Sequence, residues 1–150
     1  MNQRLPLALD MRGRRVLLVG AGQVAARKLG PLLRAGAHVE VVAPTLGVAI
    51  EEELAAGHLV AHRRPFAPDD VTGAWLVYAL TDSPELNEQI LALCEERAIW
   101  CLLGGASQES PVWSLAHRWQ GHELVAVSGG GNPRRALALL GRIAKSLGWD

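Results

Sequence analysis

Apolar residues along the chain alternate between two rhythms, short unbroken runs and longer segments with a helical period. Residues 14–20, RRVLLVG, form a β-branched run that ends in glycine, and residues 23–36, QVAARKLGPLLRAG, carry apolar side chains at helical spacing. The pair predicts a strand, a tight turn and a helix. VEVVAP at 39–44 predicts a second strand, LGVAIEEELAAG at 46–57 a helix with an acidic face, and HLVAHR at 58–63 a third strand. Pro65 and Pro68 then punctuate a loop. WLVYAL at 75–80 predicts the fourth strand, and SPELNEQILALCEER at 83–97 a helix with Ser83 as N-cap and Pro84 at its first position. IWCLL at 99–103 and HELVAVS at 122–128 predict a fifth and a sixth strand, and PRRALALLGRIAKSLG at 133–148 a closing helix.

Strands separated by helix-length connections predict a parallel sheet covered on both faces, because right-handed crossovers put the helices there. The expected fold class is α/β, a doubly wound Rossmann-like parallel sheet, as a single domain over residues 1–150. At 150 residues and 49% hydrophobic content, the chain has the size of one domain with a real core. Fifteen basic and fifteen acidic residues cancel, which leaves no electrostatic footprint for nucleic acid or an anionic membrane. The N-terminus has no long apolar run before Asp10 and no later stretch reaches bilayer-spanning length, so a cytoplasmic protein is expected. Cys94 and Cys101 fall in a helical period and an apolar strand, which predicts buried free thiols. No Cys or His cluster has ligand spacing, and a metal site is not expected.

The first segment with chemistry in it is Gly20-Ala21-Gly22-Gln23-Val24-Ala25, a G-x-G-x-x-A dinucleotide fingerprint. Gly20 permits the tight turn, Gly22 leaves space for a pyrophosphate, and Ala25 lets the helix pack closely on the strand. Backbone N–H groups at the helix start then face the phosphates. Glycines serve any sharp strand-to-helix turn, but placement after the first strand of a βαβ unit favours nucleotide binding. The acidic residue that commonly holds the ribose hydroxyls lies about 20 residues further on. Here that place holds Ala43-Pro44-Thr45, while Glu40 falls inside the strand and is expected to be solvated or edge-facing. No arginine follows the strand tip to meet a 2′-phosphate, which favours NAD as the cofactor.

Longer stretches resemble one family. LPLALDMRGRRVLLVGAGQVAARKLGPLLRAGAHVEVVAPTL is similar to the opening of the precorrin-2 dehydrogenase and sirohydrochlorin ferrochelatase family, the N-terminal module of sirohaem synthases. Leu80 to Asn87, LTDSPELN, resembles that family's A-T-D-x-x-x-x-N segment. Val125 to Pro133, VAVSGGGNP, resembles its A-V-S-S-G-G-x-S-P loop, one residue shorter. The resemblance covers nearly the whole chain and implies NAD-dependent oxidation of precorrin-2 to sirohydrochlorin. It implies cofactor contacts at Gly20, Gly22, Gln23, Val24, Pro44, Thr45, Thr81 and Asp82. Helix-start capping is an equal reading of Asp82, and a solvated surface position an equal reading of Asn87.

The second glycine-rich segment suits the carboxylate rim of a tetrapyrrole, with Ser128, Gly129, Gly130 and Asn132 as the candidate substrate residues and Arg134 and Arg135 beside them. A flexible connector before Pro133 is the competing reading. After its fifth strand the family reads N-V-V-D, with the aspartate taken as the principal acid/base residue. Here the aligned stretch is Leu102-Leu103-Gly104-Gly105, so Gly105 stands in the aspartate's place. A glycine can neither accept a proton nor approach a metal ion with a carboxylate. The expectation is dehydrogenation without chelation, with no catalytic residue assigned. Glu109 and His117 are the nearest alternatives, against readings as a surface carboxylate and a helix-face imidazole.

The family usually continues into a small helical domain that completes a homodimer and covers the cleft, whereas this sequence ends at Asp150. An open cleft is therefore expected, in which Trp100, Trp113, Trp119 and Trp149 either stack on a flat macrocycle or fill the core or a subunit interface. Two function classes stay open, a dehydrogenase and a non-catalytic module that binds NAD(H) or a tetrapyrrole.

Overall fold

The computed structural model describes residues 3–105 and 108–149. Five strands, β1 (Arg15–Val19), β2 (His38–Val42), β3 (Val60–His62), β4 (Leu76–Ala79) and β5 (Trp100–Leu103), form one sheet in the order β3-β2-β1-β4-β5. Every pair in it is parallel. Between them run α1 (Gln23–Arg34), α2 (Val48–Ala55), a 3₁₀ turn at Pro68–Val71 and α3 (Pro84–Glu96). The order reverses between β2 and β4 on either side of β1, which is where open sheets of this kind place their ligand crevice.

The central strand shows why the sheet needs cover on both sides. Val16 and Leu18 pack with Ala25, Leu29 and Leu32 of α1 and Ile50 of α2. Leu17 and Val19 pack on the opposite face with Val71, Ile90 and Cys94. A strand buried on both faces reads as an unbroken apolar run rather than an alternating one, as RVLLV does. The doubly wound α/β expectation holds for this sheet.

The sixth strand does not join it. β7 (Glu123–Val127) pairs antiparallel with β6 (Ala116–Gln120), a strand the hydrophobic pattern did not announce, and the two form a separate hairpin. The reason lies in the connection. A parallel strand beside β5 requires a helix-length crossover, but the chain between β5 and β7 folds into β6 instead. Gly121, at φ +57°, then turns the chain back within two residues. The closing helix, α4 (Pro133–Ser146), packs Ala136 and Leu140 on Val127 of this hairpin rather than on the sheet. His117 consequently sits exposed on β6, and its expected helix-face setting is corrected. Among the described residues no helix is long and apolar enough to cross a membrane.

Candidate functional site

The register of the sheet aligns four chain segments at its carboxyl edge. Val19 stands opposite Val42 and Ala79, and Ala79 opposite Leu103, so Gly20, Ala43, Leu80 and Gly104 all leave the sheet at one level. Backbone bonds fix them there: the Gly20 N–H donates to the Val42 carbonyl at 2.9 Å, Leu80 to Val19 at 2.8 Å and Gly104 to Ala79 at 3.0 Å.

The two glycines of the fingerprint do different work. Gly20 has φ +106°, and a Cβ there would lie 2.5 Å from the Leu80 carbonyl oxygen, so only glycine lets β1 turn this close to β4. Around Gly22 a Cβ would meet nothing within 4 Å, which leaves open space in front of α1. Gly22 is the N-cap of α1 and supplies no side chain, so the first-turn amides beginning at Gln23 point at that space without a capping partner. The first turn also lacks an acidic residue. An anion is the partner that such amides and the helix dipole suit. Gly47 donates to the Ala21 carbonyl at 2.8 Å, and this bond draws exposed Pro44 and Thr45 alongside the loop.

On the far side of β1, Thr81 is locked to Asn87. Asn87 Oδ1 accepts from the Thr81 amide at 3.0 Å and from its hydroxyl at 2.6 Å, while Asn87 Nδ2 donates to the Thr81 carbonyl at 3.0 Å. Asn87 is therefore partly buried and bonded, not a solvated surface residue. Ser83 caps α3 by accepting from the Leu86 amide at 3.2 Å. The capping reading offered for Asp82 thus falls to its neighbour, and Asp82 lies exposed at the sheet edge.

A cleft of about 260 Å³ opens between this edge and the hairpin, lined by Lys28, Gly105, Trp113, Ser128, Gly129 and Asn132 among others. It brings the Gly105 position and the second glycine-rich loop to one wall. Gly105 adopts φ +81° with open space around its Cβ position. Asn132 caps α4, accepting from the Arg135 amide at 3.1 Å, and the Ser128 hydroxyl accepts from the Gly130 amide at 3.2 Å. Gly130 also accepts from Gln108 at 3.2 Å. Buried Ser110 pins the intervening loop by accepting from the Leu103 amide at 3.0 Å and donating to the Val112 carbonyl at 2.7 Å. Arg4 crosses over Trp113 at 3.9 Å and donates to the carbonyls of Pro111 and Gln108, which closes the rim.

Sequence reasoning missed Lys28. Its half-buried side chain forms part of the cleft wall, and burial, then the neighbouring Arg27, pushes its amine below the ordinary lysine range. Lys28 also borders a second groove of about 1040 Å³ that runs along α1 between residues 7–12 and the hairpin. Its signal in the sequence was faint, a single lysine on the polar side of α1.

Three further expectations are resolved. Glu40 is neither solvated nor at an edge: Arg15 donates to it twice, at 2.9 and 3.0 Å, and His62 lies 3.2 Å away. Arg15 first, then His62, hold its carboxyl down at about 2. Cys94 and Cys101 are buried free thiols, and their mutual hydrogen bond followed by burial holds the Cys101 thiol well above its usual range. Trp113 lines the cleft and Trp149 is buried, whereas Trp100 and Trp119 are exposed.

Residues 7–113 match the protein family described as "Putative NAD(P)-binding". The siroheme synthase of Photorhabdus laumondii is 44% identical over 95 residues, 63% of this chain and 20% of that protein. The siroheme synthase of Sodalis glossinidius is 44% identical over 111 residues, 74% of this chain and 23% of its own length. That of Edwardsiella ictaluri is 35% identical over 127 residues, 85% of this chain and 28% of its own. The chain thus spans 20–28% of the length of these curated relatives. Among solved structures, SirC, a precorrin-2 dehydrogenase, superposes with a TM-score of 0.81 at 22% identity, over 95% of this chain and 71% of that one.

Proposed function

Because the chain belongs to this NAD(P)-binding family, we propose that it is an NAD-dependent dehydrogenase that oxidises precorrin-2 to sirohydrochlorin, a step toward sirohaem. The observation that carries the reading is the adjacency of two surfaces. An uncapped helix start with open space at Gly22 suits a pyrophosphate, and a cleft lined by Gly105 and Ser128 opens from the same sheet edge. The names of the siroheme synthases and of the superposed dehydrogenase support the choice of substrate.

In this reading Gly20, Gly22, Gln23, Val24, Pro44, Thr45, Thr81 and Asp82 border the cofactor. Ser128, Gly129, Gly130 and Asn132 border the tetrapyrrole. When bound, the nicotinamide would supply the hydride acceptor, and that chemistry is its own. The chain's residues supply orientation: the α1 amides hold the phosphates, the Thr81–Asn87 lock holds the β4 edge, and the Ser110-pinned loop keeps Trp113 against the cleft. A homodimer in the cytoplasm belongs to the same proposal, with exposed Trp119, Leu124 and Leu137 of the hairpin and α4 as its contact surface. Sedimentation of the wild type against Trp119→Asp tests the dimer.

Anaerobic turnover of enzymatically made precorrin-2 with NAD, followed by sirohydrochlorin absorbance, tests the activity. One observation favours a second reading, a module that binds without turnover: with glycine at position 105, no carboxylate lines the cleft among the described residues. Tight NAD and tetrapyrrole binding with no sirohydrochlorin formed selects it.

A further inference from the structure

The cleft at the carboxyl edge has a property that its parts taken singly conceal. Its walls are built from aliphatic residues, serines, glycines, Trp113 and Asn132, and among its described lining residues Lys28 is the only one with an ionisable side chain. Resting on the dehydrogenase reading, we propose that Lys28 is the proton acceptor of this cleft, filling the role that Gly105 cannot.

The oxidation removes two hydrogens from the tetrapyrrole. One C–H bond breaks with its electron pair, which passes as hydride to NAD⁺ and gives NADH. The second hydrogen leaves as a proton while its bonding pair forms the new double bond of the macrocycle. The lone pair of Lys28 Nζ takes that proton, and the resulting ammonium returns it to water. Only the neutral amine can act, and the surroundings favour it. Desolvation disfavours the ammonium form. On the second groove, which Lys28 also borders, the charged neighbours are Arg27, Arg34 and Arg118, with His117 and the Asp10–Arg12 pair. Asp10 is the one carboxylate in that set, and Arg12 holds it at 2.6 Å. Among the cations, Arg27 opposes a further positive charge on Lys28. Position helps as well: Lys28 lies on α1 itself, so the helix that presents the first-turn amides beginning at Gln23 also carries the amine.

The sequence contains two lysines, Lys28 and Lys145, and Lys145 is exposed on α4. Lysine-selective ¹³C labelling of the intact chain therefore gives two side-chain signals, which Lys28→Arg assigns. The expected result is a Lys28 signal that titrates below the ordinary lysine range. Titration of that signal within the ordinary range overturns the proposal.

The second arm is the pH profile of precorrin-2 oxidation. Wild-type kcat should rise with pH as Lys28 loses its proton, because the neutral amine is the active form. Lys28→Arg keeps the positive charge but cannot release a proton, so kcat should fall about 100-fold and lose that rise, with KM nearly unchanged. Lys28→Ala should recover part of the rate with added methylamine, which a merely structural lysine would not show. Equal thermal midpoints and equal NAD affinity exclude misfolding in each variant. Full activity with an unaltered pH profile in Lys28→Arg overturns the role of Lys28 alone and assigns it to pairing with a substrate carboxylate. No turnover by the wild type overturns the dehydrogenase reading, and this proposal with it.

Discussion

Thr81 and Asn87 hold each other through three hydrogen bonds, two received by Asn87 Oδ1 and one donated by its Nδ2. The contact spans the β4–α3 turn and uses both ends of one side-chain amide, a carbonyl acceptor beside an N–H donor that only Asn and Gln side chains carry. Asn87→Ala leaves the partly buried Thr81 amide unpaired, while the Thr81 hydroxyl keeps its bonds with Ser83. It is expected to lower stability by about 1–3 kcal/mol, read from urea unfolding, and to weaken NAD binding measured by calorimetry. Unchanged stability would show that water replaces the amide fully.

The fingerprint glycines should separate folding from binding. Gly20→Ala combines a positive φ with a Cβ only 2.5 Å from the Leu80 carbonyl oxygen. It should destabilise the chain by at least about 2 kcal/mol. Gly22→Asp meets open space, and the introduced carboxylate can cap α1, so stability should hold or rise. The same carboxylate would occupy the amides proposed for pyrophosphate, and NAD affinity should drop by about 2–3 kcal/mol. Calorimetry showing equal affinity in wild type and Gly22→Asp would remove the cofactor from this turn.

Metal insertion into sirohydrochlorin by the wild type is expected to match the uncatalysed rate, because the cleft presents no carboxylate at Gly105. Gly105→Asp should raise it. The space around the Cβ is free, and the φ of +81° costs about 1 kcal/mol for a residue type that tolerates the left-handed region. Cobalt insertion followed by absorbance is the measurement, and robust insertion by the wild type would contradict the assignment of Gly105.

Acid should act on the fold through Glu40. Its carboxyl is held at about 2 by Arg15 and His62, below its value in the unfolded chain. The stabilisation is therefore complete above the usual carboxylate range and is lost as pH falls from about 5 toward 2, amounting to about 1–3 kcal/mol. Glu40→Gln should lower stability at neutral pH and flatten this acid limb. An unaltered limb in the variant would assign the acid sensitivity elsewhere.

Much of the fold and part of the site were legible in the sequence, and the division has a physical basis. β1, β4 and β5 read as apolar runs because both of their faces are covered, and the Ser83–Pro84 start of α3 read as a cap because cap chemistry is local. β6 was illegible because AHRWQ is largely exposed, and a strand with no buried face leaves no hydrophobic period to find. The settings of Glu40 and Asn87 were misjudged or left open because their partners, Arg15 and Thr81, are chosen by register and turn geometry rather than by neighbouring sequence. Lys28 was missed for the same reason, since its cleft is assembled from α1, β5 and the segments around β6 and β7.

The hairpin and α4 have a consequence for how the molecule breathes. β1 completes its pairing only when β4 arrives, after β2, α2 and β3, whereas β6 and β7 meet across a two-residue turn and α4 follows directly. A two-stranded ribbon is marginal alone, so its persistence depends on α4. Under native conditions the amides of β6 and β7 should exchange with deuterium well before those of β1 and β4, as one cooperative group that includes α4. The wall that carries Ser128 should then detach and reclose while the Gly20 turn stays folded, which in the proposed reading would admit a bulky macrocycle without disturbing the nucleotide seat.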